Sequence, residues 1–177
     1  MRQNGWRETF IGHQCGRVMF KDWLQAGLTA LMLGAVLTLS GPAKALSPFE
    51  IVRDPWRGLA IHGYDPIAYL TDQTAREGDD AHLLVWQDIV WRFANEGNLI
   101  IFRADPEFYA PAYGGHDPVA AARGYAAEGD PRLFVVRNER VYLFYSPANR
   151  HVFLLDPMQF IEGAERNWPD IAARLPF

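Results

Sequence analysis

Gly63-Tyr64-Asp65-Pro66-Ile67-Ala68 returns 52 residues later as Gly115-His116-Asp117-Pro118-Val119-Ala120. Asp105-Pro106 returns as Asp156-Pro157 at a shift of 51, which also carries Phe93 onto Phe144, Phe102 onto Phe153 and Glu77-Gly78-Asp79 onto Glu128-Gly129-Asp130. A fixed period of this size marks a duplicated supersecondary unit. The expected fold class is α+β: two tandem units, each a β-hairpin followed by a helix pair, with copies at about 63–113 and 114–165 forming one compact domain.

Local patterns supply the elements of each unit. Leu83 to Phe93 reads as two short strands turning near Gln87-Asp88, and Leu133 to Tyr145 as two more turning between Arg137 and Arg140. Asn95 and Ser146-Pro147 then carry helix-start signals. Asp105-Pro106 and Asp156-Pro157 each stop one helix and start a second, expected over 107–110 and 158–165. A last short helix is expected from Pro169 to Arg174. The hairpins are expected to join in a shared antiparallel sheet with helices on one face. Trp86, Trp91, Phe93, Phe102, Phe108 and Tyr109 read as core in the first copy, as do Phe134, Tyr142, Phe144, Phe153 and Phe160 in the second, with Trp168 closing it.

Ahead of the repeat, Leu24 to Leu39 is almost wholly apolar or small, follows Arg17 and Lys21, and precedes Gly41-Pro42-Ala43-Lys44-Ala45. This describes a secretory signal peptide over 1–45 cleaved after Ala45, with Met19 as a start of more ordinary length. The predicted location is periplasmic or secreted, the alternative being a chain tethered to the membrane by an uncleaved segment. Residues 46–57 then form a lead-in, 58–170 the duplicated domain and 166–177 a closing segment. After cleavage 12 basic and 19 acidic residues remain, which argues against nucleic acid and anionic membrane surfaces as partners. Cys15, Lys21 and Lys44 are removed as well, so disulfides, thiolate chemistry and Schiff bases drop out together.

Three runs carry a family resemblance. They are Ile61-His62-Gly63-Tyr64-Asp65-Pro66-Ile67-Ala68-Tyr69, Trp91-Arg92-Phe93-Ala94-Asn95, and Phe102 through Asp105-Pro106 to Tyr113-Gly114-Gly115. With the trailing Asn167-Trp168-Pro169, the chain resembles an exported YHS-domain protein over about residues 58–170. The resemblance implies metal sites built on a cysteine after Asp-Pro-x and on a Phe-Cys-Ser-x-x-Cys element. Here Ala68, Ala94 and Asn98 hold those three positions, and His116-Asp117-Pro118 stands where exported members tend to carry cysteine or selenocysteine. The chain is thus read as a divergent member without the family thiols.

Imidazole and carboxylate can bind transition metals without sulfur. If the two Gly-x-Asp-Pro loops meet about a pseudo-twofold axis, His62, Asp65, His116 and Asp117 could serve one copper, zinc or iron ion. In the alternative reading, Asp65 and Asp117 are turn residues before proline. His82 and His151 have weaker claims, as surface or helix-face residues. Glu77-Gly78-Asp79-Asp80 and Glu128-Gly129-Asp130 could supply carboxylates for an enzyme, but read better as solvated loops. No catalytic residue is assigned. The function expected first is a non-catalytic binding or interaction module, its partner an envelope protein or small ligand of undefined identity. The alternatives are a metal-handling protein and an enzyme using His and carboxylate chemistry.

Overall fold

Asp88 and Asn138 sit at the tips of two tight turns with φ of 59° and 50°, next to Gln87 at 53° and Glu139 at 59°. Left-handed residues in pairs are what a two-residue hairpin loop with right-handed strand twist requires. The structure, a computed structural model, describes residues 50–175. The chain divides into two units, Met1–Lys44 and Ala45–Phe177. The first unit and the expected signal peptide lie outside the described residues.

Among the described residues the protein is α+β, with two antiparallel hairpins and six helices. In chain order these are α1 (Ala68–Thr71), β1 (Asp79–Trp86), β2 (Ile89–Phe93), α2 (Glu96–Ala104), α3 (Pro106–Tyr109), α4 (Pro118–Ala122), β3 (Asp130–Arg137), β4 (Arg140–Phe144), α5 (Pro147–Leu155) and α6 (Pro157–Ala172). The helix starts follow the capping signals. Asn95, Asp105, Ser146 and Asp156 each accept a side-chain hydrogen bond from the backbone N–H three residues on, at 2.9 to 3.2 Å. Proline opens α3, α5 and α6, where its missing N–H costs nothing. Each hairpin carries a register irregularity, between Asp79 and Leu83 and between Asp130 and Phe134.

The expected shared sheet does not form. β1 pairs with β2 and β3 with β4, as two separate two-stranded sheets. The backbone of β2 is engaged by the segment ahead of α1, with Ala60 N–H donating to Val90 O at 2.9 Å. Alongside β3, Arg150 Nε donates to Phe134 O at 3.0 Å. Side chains tie the second hairpin to α1 instead: the Tyr69 hydroxyl donates to Pro131 O at 3.0 Å, and its ring lies 4.9 Å from that of Phe134.

β4 explains why one core serves both hairpins. Val141 and Leu143 pack with Trp91, Phe93, Phe102, Ile61 and Tyr69, while Tyr142 and Phe144 pack with Phe153, Val119 and Ile161. Alternate residues of a strand face opposite sides, so a strand buried on both faces must be apolar throughout. Val141-Tyr142-Leu143-Phe144 meets that demand, whereas β2, partly exposed on one face, holds Arg92 where β4 holds Leu143.

Two further expectations are corrected. α6 is one helix from Pro157 to Ala172 rather than a helix ending near 165 and a separate one from Pro169. Ala164, Trp168 and Ile171 bury one stripe of it with Ala121 of α4, and that burial outweighs the backbone bond lost at the exposed Pro169. Phe108 is 37% exposed rather than core, since α3 is too short to bury a face. His82, expected as a surface or helix-face residue, lies within β1 and is half-buried. Among the described residues no helix is long and apolar enough to cross a membrane.

Candidate functional site

Asp65 is fully buried, and its carboxylate is surrounded by N–H donors. Oδ1 accepts from Ile67 N at 2.8 Å and Ala68 N at 3.4 Å; Oδ2 accepts from Ala94 N at 2.8 Å and Asn98 Nδ2 at 2.6 Å. Asp117, also fully buried, is bound in the same manner. Its Oδ1 accepts from Val119 N at 2.7 Å and Ala120 N at 3.2 Å, and its Oδ2 from Tyr145 N and Asn149 Nδ2, both at 2.8 Å. With one oxygen Asp117 caps α4 and Asp65 binds the N–H groups of Ile67 and Ala68 at the start of α1, and with the other each clasps the junction between a hairpin and its helix.

Ala68, Ala94 and Asn98, the positions that the resemblance assigns to metal-binding cysteines, all contact the Asp65 carboxylate. They present backbone and amide N–H groups, which donate where a metal needs lone pairs. The same holds around Asp117, so neither carboxylate environment fits an ion. Among the described residues no group of three or more His, Cys, Asp and Glu is placed to hold one. His62, Asp65, His116 and Asp117 therefore do not come together as one ligand set.

The two histidines stand apart from that buried chemistry. His116 is only 5% exposed, with its ring 5.1 Å from that of Trp168. Nδ1 lies 3.0 Å from Tyr113 O. A carbonyl can only accept, so Nδ1 carries the hydrogen and Nε2 keeps a bare lone pair. Burial pushes the imidazole below its ordinary pKa, opposed by the Tyr113 carbonyl and the charges of Glu128 and Glu50. The backbone of His116 also bridges to that of Glu128. His116 lines a cleft of about 380 Å³ together with Glu50, Asp54 and Glu128.

His62 lies in a turn where Ile61, His62 and Gly63 all have positive φ, 42°, 57° and 80°. For β-branched Ile61 this is a strained backbone. The turn is held because Ile61 N–H donates to Val52 O at 2.7 Å, while Val52 N–H donates to Gly114 O at 2.8 Å in the corresponding turn. His62 lines a second cleft, of about 440 Å³, with Tyr64, Asp130, Arg132 and, again, Glu128. Arg132 is committed there: its Nε and Nη2 donate to both oxygens of Asp130 at 3.0 and 2.9 Å. That fork is the main reason the Asp130 carboxyl sits below its usual range. Burial, helped by Glu77, raises the Tyr64 phenol.

Glu128, read from sequence as loop, lines both clefts. Glu50, Asp54 and Arg92 were not singled out by sequence reasoning either. Arg92 Nε lies 3.1 Å from Asp80 Oδ1. Asn98 and Asn149 had one available signal, since both occupy the third position after a helix cap, 51 residues apart. His82 and His151 join neither cleft; His151 is exposed on α5. No family model, curated protein or solved structure matches the chain.

Proposed function

We propose that this protein is an exported, YHS-like binding module, built from two copies of one unit, in which hydrogen bonding has replaced the family's metal site and ligands are taken at the clefts flanking Glu128. Duplication is supported by the spacing of the contacts. Asp79 pairs with Phe93 and Asp130 with Phe144, and the register on both sides of each irregularity repeats at a shift of 51. The YHS reading is supported by the way Ala68, Ala94 and Asn98 converge on one buried carboxylate.

The observation that carries the binding function is the pair of histidine-lined clefts meeting at Glu128. His62 and Tyr64 come from the first copy, Glu128, Asp130 and Arg132 from the second, so the seam offers groups that neither copy has alone. Asp65 and Asp117 are committed to architecture, which leaves binding to the side chains around them. The test pairs thermal-shift binding with turnover assays across one panel of envelope small molecules. Stabilisation without turnover, weakened by Glu128→Gln, is expected. Turnover abolished by His116→Ala in a folded variant would replace this reading with the enzyme one.

A further inference from the structure

The cleft beside His116 has a chemical polarity of its own. Nε2 has no hydrogen-bond partner among the described residues, while Nδ1 is held by Tyr113 O. A fixed lone pair of this kind calls for a donor. Glu50, Asp54 and Glu128 line the cleft with Arg53, and the charge of Arg57 acts on Asp54. Arg53 Nη2 is 3.4 Å from Glu50 Oε1, so that pair cancels. Asp54 Oδ1 accepts from Trp56 N at 2.9 Å and Arg57 N at 2.7 Å, which pins its carboxylate at the rim. Glu128 is exposed. The carboxylate left without a cation is that of Glu128, whose charge also acts on His116, and the buried group accepts. A ligand satisfying both must be cationic and carry N–H hydrogens.

We propose that this cleft binds a primary ammonium group, with His116 Nε2 accepting one of its hydrogens and the carboxylates of Glu128 and Asp54 balancing its charge. An ammonium presents three diverging hydrogens on a compact centre, which suits one lone pair flanked by separate carboxylates. The proposal rests on the reading of the protein as a binding module and adds the class of its ligand.

The test uses protein labelled with nitrogen-15 in its histidines, titrated with 1,4-diaminobutane, with Nα-acetyl-lysine amide, and with tetramethylammonium at matched ionic strength. Both amines are expected to shift the His116 Nε2 resonance, and their relative affinities separate a free diamine from a lysine side chain. Tetramethylammonium, a cation without N–H, is expected to leave that resonance in place. Glu128→Gln and Asp54→Asn should each weaken amine binding about two- to fivefold, the range for an exposed ion pair, with the fold retained. An unmoved Nε2 resonance at saturating amine, an equal response to tetramethylammonium, or unchanged affinity in both variants overturns the proposal. If other ligands stabilise the protein while amines leave His116 untouched, this inference fails and the binding module stands. If nothing binds at either cleft, both fall.

Discussion

Asn98 Nδ2 donates to Asp65 Oδ2 across 2.6 Å, although 33 residues of chain separate them. Asn149 makes the corresponding bond to Asp117 at 2.8 Å. Each bond ties a Gly-x-Asp-Pro turn to the helix that follows a hairpin, so elements far apart in sequence are locked through one buried carboxylate.

Removing that carboxylate leaves several buried N–H groups without an acceptor. Asp65→Ala is expected to lower unfolding free energy by about 3 to 5 kcal/mol, and Asn98→Ala by about 1.5 to 3 kcal/mol, in urea titrations. The double variant should lose less than the sum, with a coupling of about 1 kcal/mol or more. Additive losses would mean that the pair does not act as one network.

Gly114 and Gly58 separate steric from torsional cost. Both have positive φ, 61° and 66°, but a Cβ at Gly114 would lie 1.9 Å from Glu50 O, whereas at Gly58 nothing lies within 4 Å. Gly58→Ala should cost about 1 kcal/mol from the left-handed backbone alone. Gly114→Ala should cost about 3 kcal/mol, because it also displaces the lead-in backbone at Glu50 and Ile51. Equal melting temperatures for the two variants would show that the lead-in adds nothing to stability.

His116 makes stability depend on pH with a definite sign. Its folded pKa lies below the ordinary 6.5, chiefly through burial. Below pH 6.5 the unfolded chain therefore binds a proton that the folded one resists. The histidine's contribution is intact above 6.5 and declines as pH falls through that value towards the folded pKa. Unfolding measured from pH 7.5 to 5 should show this decline, and His116→Gln should flatten it relative to the parent. An identical slope in a folded His116→Gln protein would assign the decline to other groups.

Pro169 interrupts the backbone bonding of α6 from an exposed position. Pro169→Ala restores a donor inside a helix, a change worth about 3 kcal/mol in isolated helices, less up to about 1 kcal/mol for the looser unfolded chain. The variant is expected to melt higher. A lower melting temperature would show that proline at this position is needed to seat Trp168 against His116 and Tyr113.

Much of the local structure was legible in the sequence. Capping residues such as Asn95 and Asp156 act within a few residues of themselves, and the turn pairs at Gln87-Asp88 and Asn138-Glu139 need only their own backbone preferences. The recurrence of Gly-x-Asp-Pro likewise drew attention to Asp65 and Asp117, though not to what their carboxylates touch. That required Ala94 and Asn98 to arrive from across a hairpin.

By itself the sequence determined the hairpins and most helix starts. Only the tertiary structure decided that the hairpins stay separate, that α6 runs through Pro169, and that Glu128 lines one cleft with His62 and another with His116. The physical reason is range. Caps and turns are settled by torsions and hydrogen bonds between near neighbours, whereas edge coverage, stripe burial and cleft formation depend on which distant surfaces the folded chain brings together.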